Sequence, residues 1–403
     1  MTTIDVTTRQ AIGECSVTRL GLGCAPLGNL FRAVDDDVAA ATVDAAWDAG
    51  WRLFDTAPLY GNGLSERRVG AALRARPRNE YVLSTKVGRL LLPGADDDSI
   101  FADAPDLHPS FDFSSDGVRR SIEASLERLG LDRIDIVHMH DPDDHLDQAI
   151  DEAIPALVAL RDEGIIGAVG CGMNVTAPLL SVVERTDVDV VLLAGRYSLL
   201  DRSGGDELLP RCAERGVAVI VGGVFNSGLL ADPDTDPTYD YAPAPTPLAE
   251  RARAMRDVCE RFGVSLPAAA IGFALRHRSV TSVVIGARSP AEVGDAEHVH
   301  GEDALPVVGG RRDDVADAGH AGVVAQHVDP SMPIDDVGDR VLTRSVVGDV
   351  EAVEEVEPDN GVAVGGEPRL DRRADPATCA GDHHDSSAHR LLHLMLSRFR
   401  PCW

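Results

Sequence analysis

Eight short apolar runs recur between residues 19 and 287: RLGLG (19–23), RLFDTA (52–57), YVLSTK (81–86), IDIVHMH (134–140), IGAVGCGM (166–173), DVVLLAG (189–195), VAVIVGG (217–223) and TSVVIGA (281–287). Each is aliphatic and β-branched, as a strand buried on both faces must be. Between them lie helical patterns, four of which stop at glycine: 35–50, 116–130, 147–164 and 247–263. Eight strand–helix units in succession predict an α/β fold, a (β/α)8 TIM barrel, occupying residues 1–297. A doubly wound open sheet would show about six strands and a G-x-G-x-x-G turn after the first. The glycines of GLGCAPLG (21–28) lack that spacing, and no helical pattern starts there.

The remainder, 298–403, reads differently. Residues 274–398 contain no Phe, Tyr or Trp, and eight of the 13 histidines fall after residue 297. An acidic, His-rich, aromatic-poor segment has little to bury, so it is expected to be disordered or to be out-of-frame translation beginning near residue 294. His383, His384 and His389 form a cluster there, but no metal site is expected.

A net charge of −28 argues against nucleic acid or an anionic membrane surface as partner, since both call for basic patches. No apolar window reaches 18 residues, and MTTIDVTTRQ lacks the features of a signal peptide. The seven cysteines show no paired spacing, which fits reduced thiols in a cytoplasmic protein.

In a (β/α)8 barrel, polar residues at the C-terminal strand ends line the active site. The second run ends in Asp55, the loop beyond it carries Tyr60, the third ends in Lys86 and the fourth in His140. Taken singly, Asp55 would also serve as a loop cap, Tyr60 as a rim aromatic and His140 as a satisfied polar group. Lys86 is harder to set aside. It is the only lysine among 38 basic residues, so an ordinary surface cation in this chain is an arginine. A compact ammonium fits a tight pocket that a planar guanidinium does not. Beside a phenol it would favour phenolate, bringing Tyr60 toward use as a general acid or base, with Asp55 holding Lys86 and His140 orienting a substrate oxygen. Such a site moves a proton on or off an oxygen attached to carbon.

FDTAPLYGNGLSERRVG, LSTKVGR and IDIVHMHDPD resemble the signature segments of the aldo-keto reductase superfamily. The resemblance spans about residues 17–293, and the family's catalytic tetrad falls on Asp55, Tyr60, Lys86 and His140. It implies a nicotinamide dinucleotide, NAD(P), bound without a Rossmann motif, and direct hydride transfer. Ser289, Pro290 and Glu292 read as N-cap, first helical residue and capping box of a helix after strand eight, a natural phosphate site. The resemblance assigns cofactor contacts to Gly286, Ala287, Arg288 and Ser289, to Gly223, Phe225 and Ser227 in the loop after strand seven, and to Asn174. Two departures stand out. Gly222 replaces a tyrosine that stacks on the nicotinamide in many members, with Phe225 as the candidate substitute. Glu292, Gly294 and Ala296 stand near positions where an Arg and an Asn reach the adenosine.

HDPDD, LLAGRYSLLD (192–201) and GGVFNSGLLADP resemble the branch that oxidises sugars at C1, which includes L-fucose or D-threo-aldose 1-dehydrogenase, L-galactose dehydrogenase and pyridoxal 4-dehydrogenase. The expected substrate is a small sugar or carbonyl compound, with specificity in loops 88–115 and 228–246. A general carbonyl or pyridoxal reductase-dehydrogenase of the same fold is the alternative, and a catalytically silent cofactor-binding sensor subunit is an alternative of another class. Oligomeric state, the particular sugar, and NAD versus NADP stay open at this level.

Overall fold

The computed structural model describes residues 5–96 and 99–297. The expectations for 298–403 lie outside the described residues.

Eight parallel strands close into a barrel in chain order: β1 Leu20–Gly23, β2 Leu53–Asp55, β3 Val82–Val87, β4 Ile136–His140, β5 Ala168–Met173, β6 Val190–Ala194, β7 Ala218–Gly222 and β8 Val280–Gly286. All eight apolar runs become strands. Each alternates between two apolar surroundings, as period two requires. Leu53, Val82, Ile136, Ala168, Val190, Leu192, Ile220 and Val284 cluster inside the barrel. Phe54, Leu83, Val137, Val169, Val191, Val219 and Val283 pack outward against the helices. Continuous apolar runs are the consequence of both faces being buried. An N-terminal hairpin, Arg9–Ile12 with Cys15–Thr18, puts Ile12 and Val17 into the interior cluster.

The helices are α1 Asp36–Asp48, α2 Leu64–Leu73, α3 Ser115–Leu129, α4 Ile154–Asp162, α5 Thr176–Arg185, α6 Leu208–Arg215, α7 Thr246–Arg261, α8 Leu266–Leu275 and α9 Pro290–Glu297. The glycines at which four helices were expected to stop (50, 130, 164 and 263) all have left-handed φ, +63° to +81°. Ser114 caps α3 by accepting from the Gly117 amide at 3.0 Å. Ser114→Ala should lower unfolding stability by about 1 kcal/mol in a denaturant titration; an unchanged midpoint would refute the cap's contribution.

The stretch 147–164 is not one α-helix. A single turn, Leu146–Gln148, passes into a π segment, Ala149–Ala153, before α4. Pro155 is the reason: it has no N–H, and its ring crowds the preceding turn, so the ladder widens and the Ile154 amide bonds the Ala149 carbonyl. Among the described residues, no single helix is long and apolar enough to cross a membrane.

Candidate active site

The strand register brings the polar strand ends together. Asp55 lies opposite Ser84, Lys86 opposite His138 and His140 opposite Gly172. Inward positions in the lower barrel are mostly apolar, with Ser282 satisfied by donating to the Thr18 carbonyl at 2.8 Å; Asp55, Ser84, Lys86, His138 and His140 line its upper part.

Lys86 is completely buried. Its ammonium donates to Asp55 Oδ2 at 2.7 Å and to the Thr56 carbonyl at 2.9 Å. These use two of its three N–H donors. Asp55 Oδ1 accepts from the Ser84 hydroxyl at 2.8 Å, so both carboxylate oxygens are engaged. The ammonium sits 4.8 Å from the centre of the Tyr60 ring, and the His140 ring stands edge-on to Tyr60 at 5.8 Å. The four residues singled out from the sequence therefore meet at one point.

Tyr60 is placed by a crossing of two loops. A Cβ on Gly28 would lie 2.6 Å from the Tyr60 carbonyl carbon, and one on Gly61 would lie 2.3 Å from the Gly28 oxygen. Two glycines let the backbones touch, and the phenol is carried into the mouth, 2% exposed.

The electrostatics correct one expectation. Burial pushes the Tyr60 phenol well above its ordinary value, and the Asp55, Tyr241 and Asp141 charges push it the same way. The ammonium was expected to lower it. Because Asp55 takes up that ammonium at 2.7 Å, the pair presents little net charge to the phenol and desolvation dominates. His140 is held neutral, well below the usual imidazole range, by burial and then by the Arg89 and Lys86 charges. Neither of its ring nitrogens has a hydrogen-bond partner among the described residues, which leaves it able to meet a substrate oxygen. His138, one layer down, is held at about 3 by burial and by Lys86.

The candidate cofactor residues all lie at the same end of the barrel. Gly286, Ala287, Arg288 and Ser289 join β8 to α9; Gly223, Phe225 and Ser227 form the turn after β7; Asn174 follows β5. Several offer only backbone. The Ala287 side chain is buried in the outer core, and the Ser227 hydroxyl accepts from the Tyr241 amide at 3.1 Å. Phe225 is half-buried and packs against two core clusters. The capping box is displaced by one residue. The Glu292 amide donates to Ser289 Oγ at 3.3 Å, but the Glu292 carboxylate accepts from the Arg288 amide at 3.0 Å rather than from that of Ser289. The residues nonetheless fit an anionic dinucleotide. Arg288 Nε is a buried donor without a partner among the described residues, Arg32 stands 3.9 Å from Glu292, and a Cβ on Gly228 would meet nothing within 4 Å. No group of His, Cys, Asp and Glu among the described residues is arranged to hold a metal ion.

Two features of the mouth escaped the sequence reading. Arg89 pairs with Asp141 at 2.9 Å, both nearly buried, with the guanidinium 4.6 Å over the Phe111 ring. Both residues lie within the segments LSTKVGR and IDIVHMHDPD that carry Lys86 and His140, which was the available signal. Arg196, in the loop after β6, lies in LLAGRYSLLD (192–201), a segment singled out for its resemblance without a role for the arginine.

The Aldo/keto reductase family profile matches residues 19–297. The chain is 46% identical to D-threo-aldose 1-dehydrogenase of a Pseudomonas species over 293 residues, which is 70% of this chain and 89% of the relative. It is 41% identical to pyridoxal 4-dehydrogenase of Microbacterium luteolum, covering 71% and 90%, and 35% identical to L-galactose dehydrogenase of Arabidopsis thaliana, covering 73% and 87%. Among solved structures, glycerol dehydrogenase from Gluconobacter oxydans superposes with a TM-score of 0.62 at 25% identity, over 87% of this chain and 99% of that one. The holo form of an aldo-keto reductase from Bacillus halodurans gives 0.63 at 25% identity, over 82% and 99%.

Proposed function

This chain belongs to the aldo/keto reductase family, and from that premise we propose that it oxidises the anomeric carbon of an aldose to the lactone with NAD(P), using Tyr60 as general acid/base. The observation that carries the reading is the buried Lys86–Asp55 pair set beneath Tyr60 and beside a neutral His140.

A bound nicotinamide supplies the acceptor for the C1 hydride. Everything else falls to the chain's own residues. The neutral His140 imidazole hydrogen-bonds the anomeric oxygen and fixes its direction. Tyr60 removes the hydroxyl proton. It does so as phenolate and leaves the step as phenol; while it is ionised the third Lys86 N–H is available to it as a positive donor, and Asp55 together with the Thr56 carbonyl keeps that ammonium charged and pointed. Read in reverse, a protonated Tyr60 delivers its proton to a carbonyl oxygen.

The Gly286–Ser289 segment and the turn at Gly223–Ser227 would hold the dinucleotide, mainly through backbone groups, and Arg288 would supply positive charge for its phosphates. NAD is the preferred form in this reading. The Glu292 carboxylate sits at the start of α9, accepting from the Arg288 amide, where it would accept a ribose hydroxyl and repel a 2′-phosphate. The similarity to enzymes named for D-threo-aldose and L-galactose supports a sugar over a simple aldehyde. The test is NAD(P)H formation at 340 nm with L-fucose, D-arabinose and L-galactose, against a panel of aldehydes run in the reducing direction. Faster turnover of an aldose, with NAD favoured over NADP, is expected. Efficient aldehyde reduction without aldose oxidation would overturn the substrate reading in favour of a general carbonyl reductase.

A further inference from the structure

The loop after β7 is tied down at two places. At its base, Asp232 accepts the amides of Asp234 and Thr235 at 3.0 and 3.1 Å, and the Asp234 carboxylate bonds Arg253 and Arg256 of α7. At its tip, Thr238–Tyr239 pairs with Ala242–Pro243 in a two-residue hairpin. Arg196 grips that tip. Its guanidinium forks onto Asp240, Nη1 to Oδ1 at 3.1 Å and Nη2 to Oδ2 at 2.8 Å, while Nε donates to the Asn174 carbonyl at 2.9 Å. Ser227 adds a second tie, its hydroxyl accepting from the Tyr241 amide and its carbonyl from the Thr238 hydroxyl. One arginine thus fixes the strap to the β5–α5 loop as well as to β6.

The residues at the turn are unusual. Asp240 and Tyr241 have φ of +48° and +63°. A two-residue hairpin needs such values, and Asn-Gly or Asp-Gly supplies them without strain. Tyrosine is a poor turn former in this region. Its ring meets Phe31 at a centroid distance of 5.9 Å, and Phe31 itself has φ +64° and is 45% exposed. Phe31 is pinned through its amide to the Ile100 carbonyl at 2.9 Å, and the neighbouring Leu30 bridges to Phe101, whose ring lies 6.2 Å from Tyr60. The strap is thus linked, through the Tyr241–Phe31 ring contact and the Leu30–Phe101 bridge, to the ring that neighbours Tyr60. Two bulky side chains are held in a backbone region they disfavour, facing one another at the rim. Local preference is overridden in this way where a ring has a task.

We propose that Tyr241 and Phe31 form the platform that receives the C–H face of the substrate's sugar ring, and that Arg196 is the positioning residue that latches this platform through Asp240. The proposal rests on the aldose reading of the site. A pyranose carries hydroxyls around its edge and C–H groups on its faces. The aromatic pair covers a face, while His140 and the nearby Arg89–Asp141 pair meet the edge. Lysine at 196 would keep the charge but lose the fork onto Asp240 and the bond to Asn174.

Two experiments decide it. Glycine suits position 241 better than tyrosine, so Tyr241→Gly should melt no lower than wild type, while KM for the aldose rises about tenfold and kcat changes less than about twofold. A purely structural tyrosine would give an unchanged KM, and that result overturns the platform. In the ligand-free protein, chymotrypsin should cut after Tyr239 or Tyr241 at least about tenfold faster in Arg196→Met and in Asp240→Asn than in wild type, with the double variant no faster than either alone. Cleavage at the wild-type rate, or additive effects, overturns the latch. If wild type turns over no aldose, the substrate reading falls and the platform with it, whereas the proteolysis still judges the latch.

Discussion

Lys86→Met should cost both stability and activity, and the two losses should separate. Removing the ammonium leaves the Asp55 carboxylate buried at 3% exposure with, among the described residues, only the Ser84 hydroxyl as side-chain partner. Breaking a buried pair in this way costs about 3–5 kcal/mol. For a barrel of this size the melting temperature should fall on the order of 10 °C. Turnover should fall about a thousandfold, because the Tyr60 phenolate that accepts the proton loses a neighbouring positive donor. The double variant Asp55→Asn/Lys86→Met removes the stranded charge, so it should recover most of the melting temperature and none of the activity. Recovery of activity in the double variant would mean that Lys86 serves the fold alone. Lys86→Arg should fail as well, since the fully buried pocket is built around a compact ammonium.

Tyr60→Phe should lower kcat for aldose oxidation by about 10²–10⁴-fold, the range for losing a positioned general base, with little change in melting temperature. The pH profile identifies the group. Burial, and then Asp55, raise the Tyr60 phenol well above its ordinary value, so it is protonated at neutral pH and must ionise before it can accept a proton. Oxidation by wild type should therefore climb tenfold per pH unit through the neutral range, with no plateau below about pH 9. Reduction, which uses the protonated form, should stay level over the same range. His140 is neutral well into the acid range, so no limb should appear near the ordinary imidazole value. A plateau beginning near pH 7 would show that the Lys86–Asp55 pair does lower the phenol after all.

The barrel was legible because both faces of each strand are buried, and that requirement is written locally as an unbroken apolar run. The convergence of Asp55, Lys86 and His140 was legible for a related reason: each ends a strand, and parallel closure puts strand ends on one rim. Three things were not. Pro155 interrupts an otherwise regular helical pattern, and periodicity alone does not say that the ladder answers with a π segment. The protonation of Tyr60 depends on how deeply the phenol is buried and on which neighbour holds Lys86, neither of which spacing encodes. The grip of Arg196 on Asp240 joins residues 44 apart through two irregular loops. Such contacts are set by how loops lie over a scaffold, and the hydrophobic pattern carries no record of them.

The N-terminal hairpin has a consequence for traffic. With Ile12 and Val17 set among the apolar side chains of the lower barrel, the interior is a blind well. Whatever reaches Tyr60 comes in by the rim and goes out by the rim, the proton it takes included. Departure of product and discharge of that proton to water therefore share one doorway.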